Sequence, residues 1–257
     1  MKILYFTGTG NSLYVAKKIG GELISIPQAM KNKVFEYEDE KIGIVCPTYC
    51  LRPPKMVIEF MKNVQLKSPY IFMIYTFGTR YCDAPEWTTE FVKNKNYKID
   101  YINGIRMVDN YLPMFDMNEE IKIDKNIESQ IEQIIQDIDI NKKEIPVPSN
   151  WDREHTKELE KMNMEKPEFN NGSQITITDA CIKCGICTKV CPVGNIKIEE
   201  HSEKATRKSK ECEFCLACAN NCPVKAIKLN IMDKNPEARF RNEHIDVQEI
   251  IKSNCVI

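Results

Sequence analysis

The chain lacks a dominant charge. Its 36 Lys and Arg almost balance 37 Asp and Glu, giving a formal net charge of -1. No global field therefore argues for nucleic acid or an anionic membrane. It also lacks any apolar run approaching the ~18 residues of a membrane span. A charged n-region ahead of an apolar stretch is missing from the N-terminus, so a secretory leader is not expected. Histidine is scarce. His155, His201 and His244 stand apart in polar surroundings, without neighbours that point to a metal site or a catalytic base. No nucleophile elbow, triad or paired-carboxylate pattern is present. The 257 residues are 42% hydrophobic, which suits one large or two modest domains with a real core.

What the chain has in quantity is cysteine, twelve in all. With a cytoplasmic location expected, they point to metal before disulfides. Eight lie between Cys181 and Cys222, as C-I-K-C-G-I-C-T-K-V-C-P and C-E-F-C-L-A-C-A-N-N-C-P. Each half reads C-x2-C-x2-C-x3-C-P, the spacing of a bacterial ferredoxin with two [4Fe–4S] clusters. Soft thiolates bind the iron of these cubes, four per cluster. Three cysteines on one tight loop reach corners of one cube, and the fourth, before Pro, reaches the other cube. That assigns Cys181, Cys184, Cys187 and Cys222 to one cluster, and Cys212, Cys215, Cys218 and Cys191 to the other. Structural zinc would favour two separated C-x2-C pairs. The repeat extends past the cysteines, since P-V-G-N-I-K-I at 192–198 matches P-V-K-A-I-K-L at 223–229. Ile182, Ile186, Val190, Phe214, Leu216 and Ala219 are expected to form an apolar sheath. The charged insert 199–211 reads as a solvated hairpin or loop, with Arg207, Lys208 and Lys210 as a candidate docking site for an acidic redox partner.

The N-terminal half opens with an apolar run at 2–7, followed by T-G-T-G-N-S from Thr7 to Ser12 and then L-Y-V-A-K-K-I. Leu13, Val15, Ala16 and Ile19 fit a helix packed on a sheet. A strand, a loop of glycines and hydroxyls, and a helix N-terminus make an anion site. The loop has no Lys, which excludes a Walker A motif, and no G-x-G-x-x-G, which disfavours a dinucleotide. A single terminal phosphomonoester fits. Asn11 is positioned to cap the helix. Further apolar runs at 23–26, 42–46, 70–77 and within 97–108 alternate with helices, the last at about 125–141. This pattern predicts an α/β fold with a parallel sheet.

T-G-T-G-N-S resembles the loop that binds the FMN phosphate in flavodoxins. The resemblance implies a doubly wound sheet of order 2-1-3-4-5, with Thr7, Thr9, Gly10, Asn11 and Ser12 on the phosphate. It further implies that Pro47, Thr48 and Tyr49 flank the flavin ring from one loop, and Thr76, Phe77, Gly78 and Tyr81 from a second. Tyr49 is the candidate stacking ring, and the choice between Phe77 and Tyr81 stays open. Gly78 would allow close approach to the ring. Cys50 and Cys82 fall in these same loops, with packing and a redox-active thiol as their two readings, while Cys46 reads as packing.

Ile145-Pro146-Val147-Pro148 marks a boundary. The expected division is 1–145 for the flavodoxin-like domain, 146–173 for a linker with a short helix, 174–230 for the ferredoxin domain, and 231–257 for a tail that packs back. The whole order, with M-V-D-N-Y at 107–111 and R-F-R-N at 239–242, resembles the EFR1-type flavodoxin–ferredoxin fusions of anaerobes. The resemblance implies electron transfer between FMN, two [4Fe–4S] clusters and a protein redox partner. The alternatives are a flavin-dependent reductase of a small acceptor and a flavin-free redox sensor. A homodimer is a further expectation, since it would bring the clusters of one chain to the FMN of another.

Overall fold

The computed structural model describes residues 1–167 and 171–257. The sheet is built from β1 (Lys2–Tyr5), β2 (Glu22–Ser25), β4 (Lys41–Pro47), β6 (Tyr70–Phe77) and β7 (Tyr101–Arg106). Its order is β2-β1-β4-β6-β7, parallel throughout. Counted as five sheet strands, that is 2-1-3-4-5. Register follows the apolar residues, with Leu4 opposite both Ile24 and Ile44. The inner strands β4 and β6 bury nearly every residue, as strands covered on both faces do. Gly43 lies where the Phe72 ring and Ile3 meet, leaving no space for a side chain.

The helices alternate with the strands: α1 (Asn11–Ile19), α2 (Ile26–Asn32), α3 (Lys55–Asn63), α4 (Ala84–Val92), the short α5 (Met117–Glu120) and α6 (Ile127–Asp139). Ile131, Ile134 and Ile138 form the buried stripe of α6. Two elements depart from the sequence expectation. Helix α2 follows β2 directly, started by the Ser25 hydroxyl cap and Pro27 in its first turn. A small parallel pair, β3 (Glu36–Glu38) with β5 (Gln65–Lys67), sits apart from the main sheet.

Helix α7 (Asn150–Glu165) begins with a capping box from Ser149 and Asp152. Of the turn-rich stretch 167–173, residues 168–170 lie outside the described residues. In the cysteine-rich region, β8 (Ile175–Ile177) pairs antiparallel with β11 (Ile227–Leu229). Between them come α8 (Ile186–Val190), the hairpin of β9 (Ile196–Lys197) and β10 (Thr206–Arg207), and α9 (Ala217–Asn220). The charged insert 199–211 takes in the tip of that hairpin, its second strand and the residues just after it. The tail ends in α10 (Val247–Asn254), which has a second capping box from Asp246 and Glu249.

The modules share their cores. The large core under the sheet includes Val190, Cys215 and Ala217 from the cysteine-rich region and Ile245 and Ile250 from the tail. The second core joins Leu112 and Met117 to Ile177, Ile196, Ala219 and Ile227. Among the described residues no helix is long and apolar enough to cross a membrane.

Candidate functional site

The eight cysteines fall into two sets of four. Cys181, Cys184, Cys187 and Cys222 line one cavity, and Cys191, Cys212, Cys215 and Cys218 line another. These are the groupings that the spacing assigns. The chain wraps each set in the same way. Left-handed residues recur at Lys183 and Phe214, at Gly185 and Leu216, and at Gly194 and Lys225, with φ between 50° and 76°. Four of these six are not glycine, so the surrounding structure enforces a conformation that disfavours a Cβ. Backbone N–H groups donate to sulfur at matching places: Asn195 to Cys191 at 3.3 Å and Ala226 to Cys222 at 3.2 Å. Phe214 does the same to Cys212 at 3.2 Å.

The donor set fits two cubes and not a lone ion. Among the described residues no three Cys, His, Asp or Glu side chains are gathered closely enough for a single metal ion. Burial pushes the Cys187 thiol up to about 12 and the Cys212 thiol up to about 11. Such thiols ionise only where a cation offsets the cost of a buried charge. The sheath is incomplete on one side. Ile182 is 61% exposed, against the expectation that it shields sulfur, whereas Val190, Leu216 and Ala219 are buried.

The phosphate loop is buried from Thr7 through Ser12. The Gly10 N–H donates to Thr7 Oγ1 at 3.0 Å. The N–H groups of Gly8, Thr9, Asn11 and Ser12 take no acceptor among the described residues. Four unpaired buried donors on one turn are what an anion would satisfy, so the residues fit a phosphate. Ser12 Oγ pairs with Thr76 Oγ1 at 2.8 Å, joining this loop to the second predicted ring loop. Asn11 does not cap α1. The N-cap is Gly10, and the Asn11 amide bridges two other segments, donating to Val108 O at 3.1 Å and accepting from Asn242 at 3.2 Å.

Around this turn stand the remaining predicted residues. Pro47 and Thr48 continue off β4, and the Thr48 N–H donates to Thr76 O at 3.0 Å. Tyr49 stands edge-on to Phe6. A Cβ on Gly8 would lie 2.9 Å from both the Tyr49 hydroxyl and the Cys215 carbonyl. Phe77 and Tyr81 pack on each other at 4.7 Å beside Gly104. The space beside Gly78 is filled by the Asp109 carboxylate, so that glycine admits a neighbouring side chain. The loop 107–111 thus touches both of the others, and Asn110 donates to Thr9 Oγ1.

Helix α7 lies across the ring loops. Arg80 stacks on Trp151 at 4.7 Å, so it is not a free loop cation. Arg52 pairs with Asp83 at 2.6 Å and with Glu160 at 2.8 Å. Burial pushes the Cys82 thiol up to about 11, with Asp152 adding to the shift. Burial raises Cys50 as well. Both remain thiols near neutral pH, which favours packing over reactivity. Cys46 is fully buried. His244 stacks on Tyr14 and His155 on Trp151, each at 4.7 Å, so two of the three histidines have aromatic partners. Arg207 turns inward against Gly172, leaving Lys208 and Lys210 as the exposed cations of the hairpin.

Residues 180–256 match the family model of the 4Fe-4S dicluster domain. Over 47 residues the chain is 42% identical to the NADH-dependent phenylglyoxylate dehydrogenase subunit delta of Aromatoleum evansii, covering 18% of this chain and 48% of that protein. Over 51 residues it is 41% identical to the pyruvate synthase subunit PorD of Methanothermobacter marburgensis, covering 20% and 57%. The chain therefore spans about half the length of these curated relatives. Among solved structures, a flavodoxin from the domain Archaea aligns at a TM-score of 0.30 and 16% identity, over 53% of this chain and 99% of that one. At that score the likeness adds nothing to the strand order. Strand order and dicluster match together define a protein class: a flavodoxin-like domain joined to a ferredoxin domain. In this chain a parallel sheet of flavodoxin-like strand order is joined to a region that matches the 4Fe-4S dicluster domain.

Proposed function

We propose that the chain is a cytoplasmic electron-transfer protein that holds FMN on the Thr7–Ser12 loop and two [4Fe–4S] clusters on the eight cysteines. When bound, these groups exchange single electrons at the clusters and one or two at the flavin, which couples one-electron supply to two-electron delivery. The chain's own part is to hold and shield. The unpaired amides of Gly8, Thr9, Asn11 and Ser12 bind the phosphate, and the packing around the buried Cys187, Cys191, Cys215 and Cys218 excludes water from those sulfurs.

One observation carries the reading. Gly8, the second residue of the phosphate loop, lies against Cys215, a predicted ligand of the second cluster. A contact inside one chain supplies the proximity for which a dimer would otherwise be invoked. Helix α7 over the ring loops favours electron transfer over the reductase alternative, which needs an open face for a small acceptor. The partner is a protein carrier, with exposed Lys208 and Lys210 as contacts for an acidic surface.

Purification without oxygen, with iron and sulfide counts and acid release of the flavin, tests this directly. About eight irons with one FMN per chain is expected. Eight irons with no flavin, even after FMN is added, sinks the flavin half of the reading. Thr9→Ala combined with Ser12→Ala should weaken FMN retention and leave iron unchanged.

A further inference from the structure

We infer that Asn242, in the tail, is a positioning residue for the phosphate loop, so that phosphate binding near the N-terminus depends on a residue at the far end of the chain. This rests on the FMN reading above.

The amide orientations are fixed by groups that have no choice. The Val108 carbonyl can only accept, so Asn11 must present Nδ2 to it, at 3.1 Å. That turns Asn11 Oδ1 toward Asn242. The His244 N–H can only donate, so Asn242 must present Oδ1 to it, at 3.1 Å. That turns Asn242 Nδ2 toward Asn11, and the two meet at 3.2 Å. Two independent constraints give one matched pair, with Asn11 8% and Asn242 6% exposed. The Asn242 backbone N–H also donates to Thr9 O at 2.9 Å.

The rest of the turn is held in the same sense. Asn110 donates to Thr9 Oγ1, and Asn254 donates to Thr7 O at 2.8 Å. Gly10 has φ 104°, and a Cβ there would meet the Asn242 Cβ at 2.9 Å and the Ile245 Cβ at 3.0 Å. The tail therefore packs on a bare Cα. The Thr7, Thr9 and Gly10 carbonyls and the polar side chains of the turn are committed to the protein, while four N–H groups stay unpaired. A cradle needs this division, because donors fixed in direction bind an anion without the cost of ordering them. M-V-D-N-Y and R-F-R-N, far apart in sequence, each supply one side of the clamp.

The test compares FMN with riboflavin, which lacks the phosphate. Dissociation constants are measured by flavin fluorescence quenching on iron-loaded, flavin-stripped protein without oxygen. Asn242→Ala removes the amide but keeps the backbone donor. Asn242→Asp keeps the acceptor for the His244 N–H and sets a carboxylate oxygen against Asn11 Oδ1. Loss of one buried hydrogen bond predicts about a five- to tenfold weaker FMN in Asn242→Ala, and a larger loss in Asn242→Asp. Riboflavin affinity and iron content should not change. Unchanged or tighter FMN binding in both variants overturns the inference while the flavin reading stands. Equal losses for FMN and riboflavin also overturn it, since they mark a general structural role. If the unaltered protein binds neither flavin, the FMN reading itself falls and takes the inference with it.

Discussion

The two four-cysteine sites are built from one repeated sequence and end in different surroundings. The site lined by Cys215 and Cys218 faces the sheet domain. Both of those cysteines are buried, and Cys215 belongs to the core under the sheet. The site lined by Cys181 and Cys184 faces outward, with Cys184 exposed and Ile182 61% exposed. The backbone is the same in both, including left-handed residues at matching places. The repeat sets the loop geometry, and whatever packs on each loop sets its environment. One half of the repeat carries Phe214 and Leu216 where the other carries Lys183 and Gly185, and the apolar pair is on the buried side. Solvent exposure raises or lowers cluster potentials and governs attack by chelators and oxidants. The two sites should therefore differ in lability although their ligands are equivalent.

The largest effect should come from removing one ligand on each side. Cys184→Ser and Cys215→Ser are each expected to lower iron from about eight to about four per chain. They should part in everything else. Cys184→Ser should leave flavin content intact and abolish the fast phase of iron release to a chelator. Cys215→Ser disturbs the wall against Gly8, so it should also lose flavin and lower Tm by roughly 10 °C, the equivalent of a few kcal/mol in a chain this long. Matched flavin content and Tm in the two variants would erase the distinction between inner and outer sites.

Next comes the tail that seals the inner side. Ile250 is fully buried in the sheet-domain core. Ile250→Ala should cost about 2–4 kcal/mol in urea unfolding. Ile182→Ala, on the exposed side of the outer site, should cost close to nothing. A smaller effect is expected at Glu213, which precedes Phe214 on the inner loop. Its Oε1 accepts the Met56 N–H at 3.0 Å in the first turn of α3. It thus joins the cluster loop to a helix of the sheet domain, where a carboxylate favours the dipole. Glu213→Ala should cost about 1 kcal/mol, read by the urea midpoint at unchanged iron content.

Parts of this arrangement are legible in the sequence for physical reasons. The parallel sheet shows because β4 and β6 are buried on both faces and so read as unbroken apolar runs. The ligand sets show because soft thiolates at fixed spacing have few other uses. The clamp on the phosphate loop is hidden because its parts are single residues far apart, 97 positions between Asn11 and Val108 and 231 between Asn11 and Asn242. Asn11 reads as a cap and phosphate contact, and Val108 and Asn242 as parts of two separate motifs, until the fold brings them together. The contact of Gly78 with Asp109 is hidden for the same reason, since Asp109 comes from another strand end. Helix α2 did have a local signal, Ser25 before Ile26-Pro27, which the apolar run of β2 overrode. The three-residue strands β3 and β5 are too short for period-two patterning to register.

The smallest expected effect lies on the loop that joins the phosphate turn to the inner cluster site. Tyr111 of this loop packs edge-on against Phe214, with ring centroids 6.2 Å apart. Two residues earlier, Asp109 is pressed against Gly78 and accepts from Thr79 Oγ1 and the Tyr111 N–H, both at 3.2 Å. Burial raises its carboxyl above the usual aspartate value of 3.8, and nearby Glu120 adds to the rise while Lys125 opposes it. The Lys125–Glu120 pair, 2.7 Å apart and buried, supplies no net charge to compensate. A raised acid binds its proton more tightly folded than unfolded. The cost of holding the anion is absent below about pH 3.8, grows as pH rises through the folded value, and is constant above it. Asp109→Asn removes that cost and keeps the shape. It should raise Tm by about 2 °C at pH 7, and the gap to the unaltered protein should close as pH falls toward 4. A gap that stays the same at both pH values would mean that Asp109 acts through packing against Gly78 alone, and that the phosphate loop and the inner cluster site are joined by shape without a buried charge between them.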